Sequence, residues 1–287
     1  MNITIGVPTK DNINYTKLFL YSLFKYNDFK HQITLVIVDN NSSSENKNWI
    51  ENFVSPHENI KYQKILLNKN VGTPKSFNLI FDIFNETRGD LCILSNNDVV
   101  LSPRWLENLL IFNKDFEEAG IFSPTPIDNH GGIDTLKWFN DISNGAYTPF
   151  IDSSWESYAN NFREANKHQV DPGVNFCLVV ITRECYKNVG IFDEGFIIGC
   201  YDDADWLIRA ERAGYTAYNT NNSIIFHWGG KTQSEHTKEH GHNSYQQMNK
   251  RYFCQKYGVD LDALGARCTR STFWIPNKDG INERLYI

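Results

Sequence analysis

The feature that most constrains this chain is an alternation repeated through its first hundred residues: a short apolar run, an abrupt polar tip, then a longer segment of helical period. The runs are "ITIGV" (Ile3 to Val7), "ITLVIV" (Ile33 to Val38), "IKYQKILL" and Leu91 to Leu94. Between them lie "YTKLFLYSLFKY", with Leu18, Tyr21, Phe24 and Lys25 at helical spacing, a segment near Trp49 to Phe53, and "PKSFNLIFDIF". Strand and helix periods in strict alternation predict an α/β fold, a mostly parallel sheet covered by helices. The unbroken "ITLVIV" reads as a strand buried on both faces.

The polar tips are Pro8-Thr9-Lys10, Asp39-Asn40-Asn41, Asn68-Lys69-Asn70 and Asn96-Asn97-Asp98. In open α/β sheets the ligand crevice lies beyond the carboxyl ends of the strands, so tips sharing one edge form a candidate binding rim. Polar residues end most strands, and one tip alone would carry no information. Acids, amides and a glycine together suit a nucleotide diphosphate with a divalent cation. "NVGTPKSFN" adds Gly72, which permits close backbone approach, and Lys75 near an expected helix N-terminus, both suited to phosphate. Neither the P-loop spacing nor G-x-G-x-x-G is present.

With 287 residues, 41% apolar and 14% aromatic, the chain can bury one large core or two small ones. A net charge of −6 gives no overall basic field, so nucleic acid is an unlikely partner. "MNITIGVPTKDN" lacks the charged and apolar regions of a signal peptide, and no apolar run approaches the ~18 residues of a membrane span. The expectation is a cytoplasmic protein, soluble or peripheral to a membrane. Six scattered cysteines without a C-x-x-C pair fit reduced thiols.

Residues 115 to 170 read as irregular, and an aromatic, polar stretch from Asp128 to Asn161 is expected to form a loop or lid. Trp138, Trp155 and Tyr158 within it could stack on a pyranose, or form a small core. Regular pattern resumes at "VNFCLVVITRECYKNVGIFDEGF" and leads into "YDDADWLIRAERAGY". Asp202, Asp203 and Asp205 there complement a helix N-terminus, but carboxylates this close also raise one another's pKa, as a general base requires. Beyond Lys231, "SYQQMNKRYFCQKYG" is helical in pattern, with Tyr245, Met248, Tyr252 and Phe253 roughly on one side. It can pack on the main domain or pair two copies into an oligomer.

The ordered set "VPT", "VIVDNNS", "NVGTPKSFN", "SNNDVVL", "VGIFDEGF", "DDADWLIRAERAGY" and "FHWGG" resembles the family 2 glycosyltransferases, inverting enzymes of the glycosyltransferase A fold. The resemblance runs from Ile3 to Trp228. It implies a Rossmann-like nucleotide-diphospho-sugar transferase fold with a mixed, mostly parallel sheet. The catalytic domain would be 1–230, with a nucleotide half to about 100 and an acceptor half from 101, followed by a short C-terminal extension over 231–287, partly helical. It also implies transfer of a sugar, most simply from a UDP donor, to a hydroxyl of a glycan, aided by Mn²⁺ or Mg²⁺.

Carried over residue by residue, the resemblance makes Asp98 the metal ligand, with His227 near the diphosphate or metal. Asn96 stands where many members have an acid, and an amide can bond a ribose but brings no charge to the metal. Asp39 would read the base edge, with Pro8 and Thr9 lining the same pocket. Asn40, Asn70, Gly72, Lys75, Asn78 and Asn97 complete the expected donor site. Asp203 matches the family base, Asp202 its usual Glu partner, and Asp205 with Arg209 would hold the acceptor or brace the loop. Trp138, Trp155 and Trp228 are weaker acceptor candidates. Three rivals stand beside this reading. "HTKEH" formally fits the inverted zinc-protease signature through His236, Glu239 and His240, with His242 close by, although its polar surroundings favour a solvated loop. A nucleotidyltransferase would need a Gly-rich basic loop that is missing, and a sugar-binding module would transfer nothing.

Overall fold

The computed structural model describes residues 1–28, 30–116, 118–127, 153–229, 244–269, 271–277 and 282–287. Its centre is a nine-stranded mixed sheet in the order β3-β2-β1-β4-β8-β6-β9-β5, with β7 paired to β9. The strands are β1 Asn2–Thr9, β2 Gln32–Asp39, β3 Ile60–Leu66, β4 Leu91–Ser95, β5 Val99–Leu101, β6 Ile121–Ile127, β7 Val170–Pro172, β8 Leu178–Thr182 and β9 Ala217–His227. β3, β2, β1 and β4 are parallel, and β6 runs parallel to β9, while β8, β5 and β7 run against them. Mostly parallel pairing brings Thr9, Asp39, Ser95 and His227 to one edge of the sheet.

Two helical layers bury the two faces, and the period of two along each strand decides which side chain goes where. Ile3, Ile5, Val7, Leu35, Ile37 and Ile93 share one cluster with Phe19 and Leu23 of α1 (Ile13–Lys25) and Leu106 and Leu109 of α4 (Trp105–Asp115). Val36, Val38, Cys92 and Leu94 point the other way, against α3 (Gly72–Glu86) and a later helix that carries Trp206 and Leu207. Phe77, Ile80, Phe81 and Phe84 of α3 are buried at i, i+3, i+4 and i+7, the stripe a core-facing helix requires. α2 (Ser44–Asn52) starts earlier than Trp49, because the Ser43 hydroxyl accepts from Asn46 N–H and caps it.

The region expected to be irregular is partly regular. β6 pairs with β9 as far as Ile127 despite Pro124 and Pro126. Helix α5 spans Ser153–Ala165. The signal for it was available, since Trp155, Tyr158, Ala159 and Phe162 recur at helical spacing and pack on Phe226 and Val100.

Helices α6 (Arg183–Val189) and α7 (Asp202–Arg212) follow β8, and the described C-terminal residues add α8 (Ser244–Tyr257). An unforeseen antiparallel sheet of β10 (Arg267–Thr269), β11 (Thr272–Pro276) and β12 (Asn282–Arg284) comes last. These segments bury Phe253, Leu261 and Phe273 against Phe196, Ala204 and Ile208, so the extension shares a core with α7. Among the described residues, no helix is long and apolar enough to cross a membrane.

Candidate active site

The strand-end edge carries a compact polar network. Asn97 Nδ2 donates to the hydroxyls of Thr9 and Thr16, both at 3.1 Å, and those hydroxyls lie 2.9 Å from each other. All three residues are buried, so this network fixes the β4 tip against β1 and α1. Thr16, inside an apolar helical stretch, gave no signal in the sequence. Asp39 is fully buried at the end of β2, and its carboxylate accepts the Ser42 N–H at 3.2 Å. Pro8 sits beside it in β1, opposite Val38.

Asp98 and His227 meet where β5 and β9 pair: Val99 lies opposite His227, and Asp98 Oδ1 stands 3.2 Å from His227 Nε2. The Asn96 amide nitrogen is 3.4 Å from that same ring nitrogen. Burial opposes charge on His227, but hydrogen bonds to Asp98 and Cys177 outweigh it and raise its pKa to about 10. Cys177 therefore belongs to this centre, a role that its place in "VNFCLVV" did not reveal. Trp228 follows directly, its N–H donating to the Asp98 carbonyl at 3.2 Å and its ring 5.2 Å from that of Tyr15.

The acids of α7 have three different surroundings. Asp202 is buried, and desolvation together with the Asp203 charge lifts its pKa to about 8. Asp203 is partly exposed and accepts a hydrogen bond from the Ser271 hydroxyl at 2.7 Å. Asp205 is fully buried and is held by Arg209 Nε at 3.0 Å, by the Tyr257 hydroxyl at 2.8 Å and by Lys256. Arg209 also donates to the Val189 carbonyl, so this pair braces α7 against α6.

Several expected donor residues serve the protein's own packing. Asn40 Oδ1 accepts Val71 N–H and Asn70 Oδ1 accepts Gly72 N–H, which shapes the turn into α3. Asn78 is buried and exchanges hydrogen bonds with the Phe192 backbone. Lys75 pairs with Glu194 at 2.8 Å, both half exposed. Gly72 has φ +82°, and a Cβ there would lie 2.7 Å from Ile198 N, so the protein's own backbone makes a close approach at this position. Thr73 N–H, at the start of α3, is taken by the Ile198 carbonyl at 2.7 Å. Trp155 is corrected as an acceptor candidate: it is fully buried, with its indole N–H on the Leu101 carbonyl. Trp138 and the His236, Glu239 and His240 group lie outside the described residues.

The family profile described as Glycosyl transferase family 2 matches residues 4–181, more than half of the chain. The chain belongs to glycosyl transferase family 2. Comparison with curated proteins finds no match. Among solved structures, Staphylococcus aureus TarS 1-349 in complex with UDP-GlcNAc is 15% identical at TM-score 0.56, covering 82% of this chain and 61% of that one. The mannosyltransferase PcManGT from Pyrobaculum calidifontis, in complex with GDP-Man and Mn²⁺, is 14% identical at TM-score 0.55, over 80% of this chain and 57% of that one. GalNAc-T7 with UDP, GalNAc and Mn²⁺ is 14% identical at TM-score 0.54, over 92% of this chain and 53% of that one. At these identities the likeness is one of fold, and this family 2 chain spans less than two thirds of each of those proteins.

Proposed function

We propose that this family 2 enzyme transfers a sugar from a UDP donor to a hydroxyl of a glycan, with a divalent cation and with inversion at the anomeric carbon. The observation that carries this reading is the Asp98–His227 pair, 3.2 Å apart on the same sheet edge as Thr9 and Asp39. One carboxylate and one imidazole, whose ring proton the cation would displace on binding, fit Mn²⁺ or Mg²⁺, with diphosphate oxygens and water filling the other positions. Diphosphate oxygens of the donor would add to these two protein ligands. That PcManGT and GalNAc-T7 were solved with Mn²⁺ supports this assignment. Bound there, the cation would offset the charge growing on the departing diphosphate.

The chain's own groups do the rest. Asp39 accepts the imide N–H of uracil, a donor that cytosine lacks and that guanine offers only beside its exocyclic amine, and Pro8 and Thr9 flank it. Asp203 takes the proton of the acceptor hydroxyl as that oxygen attacks the anomeric carbon from the face opposite the leaving group. Unequal burial separates the two acids: Asp202 keeps its proton near neutrality, and the more exposed Asp203 is the one an acceptor hydroxyl can reach. Trp228, beside Asp98, offers an aromatic face suited to a sugar ring. The catalytic unit comprises 1–230, donor side first, with 231–287 as its extension.

Calorimetry with UDP, GDP and TDP in the presence of Mn²⁺ tests the donor assignment. UDP should bind at least about tenfold more tightly than GDP, a difference of ~1.4 kcal/mol. Equal affinity for all three would remove the case for a uracil-reading Asp39.

A further inference from the structure

The polypeptide leading into the acid pair is strained. Ile198, Cys200 and Tyr201 have φ of 62°, 74° and 69°, with Gly199 between them. Positive φ is unfavourable for any side chain and most of all for a β-branched one such as Ile198, so neighbours must impose it. One buried side chain supplies most of that constraint. Asn249 of α8 donates through Nδ2 to the carbonyls of Ile197 (2.8 Å), Gly199 (2.6 Å) and Cys200 (3.2 Å). Its Oδ1 accepts the Ile197 N–H at 3.0 Å. On the opposite side, the Ile198 carbonyl accepts Thr73 N–H at the start of α3, and Gly72 leaves room for the Ile198 backbone.

We propose that Asn249 is a positioning residue of the transfer reaction: it clamps the 197–201 backbone and thereby sets the acid pair of α7 against the donor edge. The side chain is suited to this by chemistry. An amide offers donors and an acceptor at one point, whereas a carboxylate would lose every donor and an alanine would remove all four contacts to the 197–200 backbone. The clamp is also well placed, because only Tyr201 separates Cys200 from Asp202 and Asp203. The Ser271 hydroxyl on Asp203 gives a second hold from the same C-terminal region. Together they make residues 244–273 part of the active-site scaffold, although they follow the region matched by the family profile. The proposal rests on the reading of Asp203 as the base for its chemical consequence, but not for the clamp itself.

The test uses the full-length protein with Mn²⁺ and the UDP-sugar that the wild type hydrolyses fastest, with UDP release as the rate and calorimetry with UDP as a check on the donor half. Asn249→Ala should lower kcat by roughly ten- to a hundredfold, the scale of a misplaced catalytic group, while the Kd for UDP and the KM of the donor stay within about threefold. Ser271→Ala, a smaller change that removes a single hydroxyl, should lower kcat by about three- to tenfold with the same UDP affinity. Unchanged kcat in Asn249→Ala would overturn the proposal. So would a parallel loss of kcat and UDP binding, which marks a residue needed only for folding. Asp203→Asn run alongside separates the two ideas: if it keeps full turnover while Asn249→Ala loses it, the clamp stands and the base lies elsewhere on the loop.

Discussion

In the proposed reaction the donor edge and the base loop act together, yet they are built by different physics. At the donor edge, register does the positioning. β1 and β2 pair in parallel from Asn2 and Gln32 through to Thr9 and Asp39, so two functional side chains arrive side by side as a consequence of strand pairing. Asn97, Thr9 and Thr16 then lock the tips together from within the sheet layer. At the base loop no ladder is available. Strained backbone is held by Asn249, Asp203 by Ser271 and Asp205 by Lys256 and Tyr257, groups between 49 and 68 residues away in sequence. The first region can be inherited with the sheet; the second needs a separate piece of chain to complete it.

The contrast can be broken most directly at Asp203. Asp203→Asn should lower transfer at least about a hundredfold, since general-base catalysis contributes 10² to 10⁴, while UDP affinity stays unchanged because the donor edge does not depend on α7. Normal transfer with lost UDP binding would place Asp203 in the donor site and erase the division between the regions.

A smaller effect sharpens the same division. The pKa of Asp202 in the folded protein, about 8, lies above its ordinary 3.8, so the native state keeps a proton that the unfolded chain has released. Stability should therefore fall as pH rises between those values, because the unfolded state binds fewer protons there. Asp202→Asn imitates the protonated acid and removes this loss. Its Tm should exceed that of the wild type at pH 8, with the gain vanishing near pH 4. A gain that is the same at both pH values would mean that Asp202 is not held protonated.

How much of this was legible in the sequence follows the same line. The strands that build the donor edge were readable because each is a local pattern, and their tips could be matched to one ligand without knowing the fold. Partners distant in sequence were not readable: Phe192 and Glu194, which bond Asn78 and Lys75, lie more than a hundred residues on. β6 was missed because of Pro124 and Pro126. Both prolines lie past Phe122, the last residue of β6 paired with β8, where that edge no longer needs an N–H donor. Asn249 and Ser271 carried no local signal, since an asparagine in a polar helix and a serine near a turn are ordinary on any surface. Their function exists only through tertiary contact.

The central claim is that Asp98, with His227, holds a cation against the donor diphosphate. UDP titrated calorimetrically into the wild type and into Asp98→Ala, each with Mn²⁺ and with EDTA, tests it without knowledge of sugar or acceptor. The account predicts that Mn²⁺ tightens UDP binding to the wild type by at least about tenfold, ~1.4 kcal/mol, and that the gain disappears in Asp98→Ala while the weak metal-free binding through the Asp39 pocket persists. An equal Mn²⁺ gain in both proteins, or none in the wild type, would contradict it.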